Sequence, residues 1–154
     1  MAPHAELGSA PVSALRRLVA AAVPAAALSL AATGAAGASS TATFTTPTHR
    51  IGCAYTASGG APSLRCDVLD PAHPPARPDS CELDYGSAFG LRRTGRPARL
   101  CVGDTVVDPR ARVLAYGKRR QLGPFTCLSR ATGLRCTNGA GHGFTLSRQA
   151  QKLF

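Results

Sequence analysis

The chain has 154 residues, with 16 glycines, 12 prolines, six cysteines and no tryptophan, and a formal net charge of +10. That length leaves room for one domain of ordinary size, with a core small enough that covalent staples help it. Arginine outnumbers lysine 16 to 2, and a charge of this sign draws polyanions such as wall polymers, nucleic acid or anionic lipid.

Along the chain, the first element is a leader. Arg16 and Arg17 supply a positive start, Leu18 to Ala32 is almost unbroken apolar sequence, and Ala36-Gly37-Ala38 forms a small-x-small cleavage site before Ser39. Residues 1–38 therefore read as a signal peptide, with Val12 as a second candidate start because Glu6 and a long stretch precede the arginines. A retained anchor is the competing reading, weakened by a short, alanine-rich core interrupted by Pro24. No cysteine stands at the cleavage site to take a lipid, and the paired arginines lack the rest of a twin-arginine signal. Cleavage would remove two arginines and one glutamate, leaving 16 basic and 7 acidic residues and a charge of +9.

Residues 39–154 read as a single disulfide-stapled β domain. Thr41–Thr46, Ile51–Thr56 and Ser63–Leu69 alternate β-branched or aromatic residues with small or polar ones, as half-buried strands do. Pro71, Pro74, Pro75 and Pro78 make residues 70–80 an extended connector. Short strands are then expected at Glu82–Tyr85, Ala88–Arg92, Ala98–Val102, Val113–Tyr116, Pro124–Ser129, Leu134–Thr137 and Phe144–Leu146. Ser147 reads as the N-cap of a last helical turn over Arg148–Leu153, with Leu153 and Phe154 folding back on the core. The fold class is all-β: a small sandwich or barrel of short antiparallel strands with a short C-terminal helical turn.

Six cysteines in a short exported chain argue for disulfides. Cys53 and Cys66 are equidistant from Gly59-Gly60, and Cys127 and Cys136 flank Ala131-Thr132, so a hairpin at either place sets its two cysteines opposite each other. That gives the pairs Cys53–Cys66 and Cys127–Cys136, and leaves Cys81 with Cys101. Gaps of 12, 14, 19, 25 and 8 residues contain none of the short steps a zinc site favours, so neither a metal nor another cofactor is expected. Leu64-Arg65-Cys66 and Leu134-Arg135-Cys136 hold the same place in the two hairpins, a hint of duplication.

Several of these residues occur together in order: Phe44-x-x-Pro47, Ile51-Gly-Cys53, Arg65-Cys66-Asp67, Asp84-Tyr-Gly86, Cys101-x-Gly-Asp-Thr105 and Tyr116-Gly117. Cys127, Cys136 and the ending Gly141-His-Gly-Phe-Thr-Leu-Ser-Arg148, then Leu153-Phe154, complete the set. Over residues 43–154 the chain resembles a family of secreted or lipid-anchored actinobacterial envelope proteins known only as a domain of unknown function. The resemblance implies export and a compact cysteine-paired domain, and it brings no activity or catalytic residue. Pro47-Thr-His-Arg50 departs from the Pro-Ser-Gly-Asn turn usual there, and Tyr85 from a frequent tryptophan.

Candidate chemistry is sparse. His142, among Gly139, Gly141 and Gly143, could pair with Asp104 as acid and base; equally, the glycines build a tight turn and the imidazole bonds a carbonyl. Glu82 and Asp84 would share a strand face as a two-carboxylate hydrolytic pair, or be merely solvated. Arginines cluster in two runs: Arg92, Arg93, Arg96 and Arg99, then Arg110, Arg112, Lys118, Arg119 and Arg120. Packed together they would form one basic binding surface; apart, they are solvated loops. Stacking aromatics are few, with Tyr116 alone nearby, so nucleic acid is not an expected partner. Nor is a stable membrane span expected after cleavage. Two functions follow: a non-enzymatic envelope or extracellular module using its basic face on an anionic polymer or protein partner, and a small secreted hydrolase.

Overall fold

The computed structural model describes residues 39–154, so the leader read over residues 1–38 lies outside the described residues. Ten strands form two five-stranded sheets, both antiparallel meanders. The first sheet runs β1 (Ser40–Thr45), β2 (Ile51–Ser58), β3 (Ala61–Val68), β4 (Asp84–Arg92) and β5 (Ala98–Val102). The second holds β6 (Arg119–Leu122), β7 (Phe125–Arg130), β8 (Gly133–Thr137), β9 (Gly143–Leu146) and β10 (Gln151–Leu153), with β6 and β10 at its edges.

Local chemistry explains the hairpins. Gly59 and Gly60 both take positive φ, at 57° and 78°, which is what a two-residue turn between Ser58 and Ala61 needs to match the strand twist. That turn sets Cys53 opposite Cys66, and the turn at Ala131-Thr132 sets Cys127 opposite Cys136. Bridges join Cys53 to Cys66, Cys81 to Cys101 and Cys127 to Cys136, and none of the six cysteines is free.

One core lies between the sheets, holding Phe44, Leu64, Phe89 and Leu91 from the first and Phe125, Leu134, Phe144 and Leu146 from the second. Phe89 meets Phe144 across it at 6.2 Å between ring centroids, and Tyr55 meets Phe125 edge-on at 6.1 Å. The architecture is thus a sandwich. Its two halves are register copies. The row Cys53, Cys66, Phe89 in the first sheet matches Cys127, Cys136, Phe144 in the second. The same alignment puts Leu64 over Leu134, Ile51 over Phe125, and Tyr55 over Ser129.

Three expectations need correction. No helical turn forms after Ser147: the Ser147 hydroxyl does accept the Ala150 N–H at 3.0 Å, as a cap would. Beyond Ala150 the backbone finds partners on β9 instead, so Gln151–Leu153 continues the sheet and Phe154 exchanges two hydrogen bonds with Gly143. Val113–Tyr116 is not a strand; Val113 makes one parallel bridge to Thr45, and Gly117 then turns the chain. Glu82 precedes its strand, which runs unbroken from Asp84 to Arg92 through an irregularity between Tyr85 and Ala88. Among the described residues no helix is long and apolar enough to cross a membrane.

Candidate functional site

On the outer face of the first sheet, Gly90 and Ala98 pair beside Arg65, and Ala88 pairs with Leu100. Small side chains here leave a groove of about 700 Å³ with Gly90, Ala98 and Leu100 on its floor and Arg65, Arg92, Arg93 and Arg96 at its rim. Arg92, Arg93 and Arg96 are exposed and make no salt bridge among the described residues. Their charge is therefore uncompensated, in contrast to Arg65.

Arg65 is the centre of a fixed cluster. Its Nε and Nη2 donate to the two oxygens of Asp67, both at 2.9 Å, while Nη1 donates to Asp104 at 2.9 Å and Nη2 also to the Asp104 carbonyl at 2.7 Å. Burial opposes the guanidinium charge, but the hydrogen bonds and charges of Asp67 and Asp104 outweigh it and hold the Arg65 pKa above its ordinary value. Asp67, 3% exposed, also accepts the Val106 N–H at 2.9 Å. The cluster fastens the loop after β5 to β3. Asp104 is thereby occupied as a structural anion.

His142 sits elsewhere. Asn138, 6% exposed, accepts the Ala140 and His142 N–H groups on its side-chain oxygen and donates its amide to the carbonyls of Arg92 and Gly95. It shapes the glycine-rich loop and pins it to the β4–β5 turn. His142 contributes backbone groups to this arrangement, and its imidazole makes no hydrogen bond among the described residues. Its loop is fastened to the carbonyls of Arg92 and Gly95, before β5, whereas Asp104 follows the end of that strand and bonds Arg65. The two side chains are not brought together. Glu82 and Asp84 are exposed beside Pro74, Pro75 and Arg77 on a shallow surface.

The second arginine run divides too. Arg112, Lys118, Arg119 and Arg120 line another groove of about 570 Å³, and Arg110 is 95% exposed, 3.9 Å from Asp108. Arg99 and Arg120 do different work. Arg120 lies over the Phe44 ring at 5.4 Å and donates to the Thr43 carbonyl across the sandwich, and Arg99 lies over Phe89 at 5.1 Å and donates to the Gln151 carbonyl at 3.4 Å. Each arginine seals one open edge between the sheets, a contact worth about 1 kcal/mol beyond its packing. Cys53, Cys66 and Cys136 bring three sulfurs within 4.8 Å of one another, but all are in disulfides and offer no thiolate to a metal.

Sequence reasoning passed over Asn138, whose only local signal is an Asn-Gly step after a cysteine strand. It also passed over Arg50, Arg130 and Arg148, which segments of both sheets carry to one cleft with Tyr116.

A family model described as "Family of unknown function (DUF6636)" matches residues 22–154. Neither a curated protein nor a solved structure matches the chain.

Proposed function

We propose that this chain, which belongs to that family of unknown function, is an exported envelope or extracellular module that binds an anionic polymer. The groove rimmed by Arg92, Arg93 and Arg96 is its contact surface. The leader over residues 1–38 would carry it out of the cell, to the compartment that the resemblance to actinobacterial envelope proteins implies. Three disulfides suit an oxidising, extracellular setting. One observation carries the reading: Arg92, Arg93 and Arg96 line one open groove, and none has a carboxylate partner among the described residues. Uncompensated arginines around an open groove suit a phosphate or carboxylate polymer, read by charge more than by shape. Of the residues named for the hydrolytic alternative, Asp104 is engaged by Arg65, while Glu82 and Asp84 are exposed.

The test is equilibrium binding of poly(glycerol phosphate) to the secreted protein across a salt series. Binding at low salt that fades as salt rises is the expected result. Replacing Arg92, Arg93 and Arg96 together by glutamine should weaken it roughly a hundredfold, at about 1 kcal/mol for each arginine. No binding at low salt, or a triple variant that binds like the parent, would overturn the reading.

A further inference from the structure

The halves of the sandwich differ most at one end. In the first sheet Tyr55 reaches across to Phe125 and lies against the β6–β7 turn, where a Cβ on Gly123 would come within 2.6 Å of the phenol oxygen. The register counterpart of Tyr55 is Ser129, that of Phe125 is Ile51, and that of the β6–β7 turn is the β1–β2 turn. Ser129 is itself fully covered, so at this end the surface is shaped by the turns around it. A cleft of about 380 Å³ opens there, lined by the β1–β2 turn, Ile51, Arg130 beside Ser129, and the β9–β10 turn.

What lines this cleft is specific. Arg50 and Arg148 reach it from two separate turns and Arg130 from the end of β7. Arg50 is balanced by Asp70, to which it donates at 2.7 Å. Arg148 is oriented by its Nε bond to the Asp70 carbonyl at 3.0 Å, leaving its terminal nitrogens uncommitted. Arg130 is exposed, with no acidic partner among the described residues. Tyr116, 44% exposed, forms another wall. Its turn is clamped to β7, since Gly117 donates to the Ser129 carbonyl and Ser129 to that of Lys118. Thr132 and Gln149 add neutral polar groups.

We infer that this inter-sheet cleft binds a small phosphorylated sugar. The volume lies at the small-ligand end of pocket sizes. Arg130 and Arg148 present forked donors to a phosphate. The Tyr116 ring offers a flat apolar face to the pyranose, and the hydroxyl and amide groups suit sugar hydroxyls. A nucleotide would need a second flat wall for its base, and Tyr116 is the single aromatic among the residues that line the cleft. The site is distinct from the groove of Arg92, Arg93 and Arg96 and does not rest on the polymer reading.

Calorimetric titration with glucose 1-phosphate, inorganic phosphate and glucose in turn tests it, on the parent and on Arg130→Gln, Tyr116→Ala and the Arg92/Arg93/Arg96→Gln triple variant. Thermal melts show that each variant folds. The expected result is tighter binding of the sugar phosphate than of either half alone. It should weaken about tenfold in Arg130→Gln, for one lost charge-assisted pair, and be unchanged in the triple variant. Equal affinity for inorganic phosphate would overturn the sugar assignment. No detectable binding, or full affinity in both Arg130→Gln and Tyr116→Ala, would overturn the site. Loss in the triple variant alone would move the ligand to the other groove and equally overturn it.

Discussion

A Cβ on Gly143 would overlap the carbonyl oxygen of Cys136, on the neighbouring antiparallel strand β8 where Gly143 pairs with Thr137. The neighbour is backbone inside a disulfide-bonded strand and cannot yield. Gly143→Ala should therefore cost about 3 kcal/mol or more, as overpacking against a fixed neighbour does. Gly139→Ala meets nothing within 4 Å and has no positive φ, so it should change stability by less than about 0.5 kcal/mol. Urea denaturation of the two variants checks both. The contrast explains why the glycines around His142 look like a functional loop in the sequence: one of them at least answers to the packing of a strand. His49 teaches the same lesson in reverse. It takes φ 56° without being glycine, within the Pro47-Thr-His-Arg50 segment that departs from the expected turn. Asn138 was illegible for a different reason, since its partners Arg92 and Gly95 lie 46 and 43 residues away.

At the level of elements, hairpins were the legible part. Turn chemistry and equal cysteine spacing act within a dozen residues, so β2–β3 and β7–β8 could be read without knowing the rest. β6 could not. Arg119-Arg120-Gln121-Leu122 reads as a charged loop, and becomes a strand because β7 offers it a partner and Phe44 offers Arg120 a ring. β10 is similar: its three residues are extended by β9, whereas Ser147 locally promises a helix. The bridges differ in their settings. Cys127–Cys136 closes 9 residues and is wholly buried, while Cys81–Cys101 closes 20 and ties the proline-rich connector to β5 through an exposed Cys101. Chain entropy alone would make the longer loop slightly more valuable, at about 3 kcal/mol. Core packing reverses that order. Cys127→Ala with Cys136→Ala should cost about 4–5 kcal/mol once the cavity is added, against about 3 kcal/mol for Cys81→Ser with Cys101→Ser. Chemical denaturation of the two double variants would show the ranking.

For the molecule as a whole, the shared core is decisive. Neither sheet buries its inner face without the other, since Phe89 packs on Phe144, Tyr55 on Phe125, and Arg99 and Arg120 span the edges. The domain should unfold as one cooperative unit despite its repeated halves. Tyrosine fluorescence and far-ultraviolet circular dichroism should give superimposable urea curves, and two separated transitions would mean that each sheet is stable alone. The sequence by itself determined the all-β class, the connector and the two glycine- or threonine-turned hairpins, because alternation, proline and turn residues act locally. Only the tertiary structure decided where charge gathers. The two arginine runs line two grooves, with Arg99 over Phe89 and Arg120 over Phe44, and Asp104 bonds Arg65. The tertiary structure also brought Arg130, Arg148 and Tyr116 to one cleft from separate segments of the chain. Those outcomes depend on which residues meet across two packed sheets, and no spacing along the chain encodes that distance.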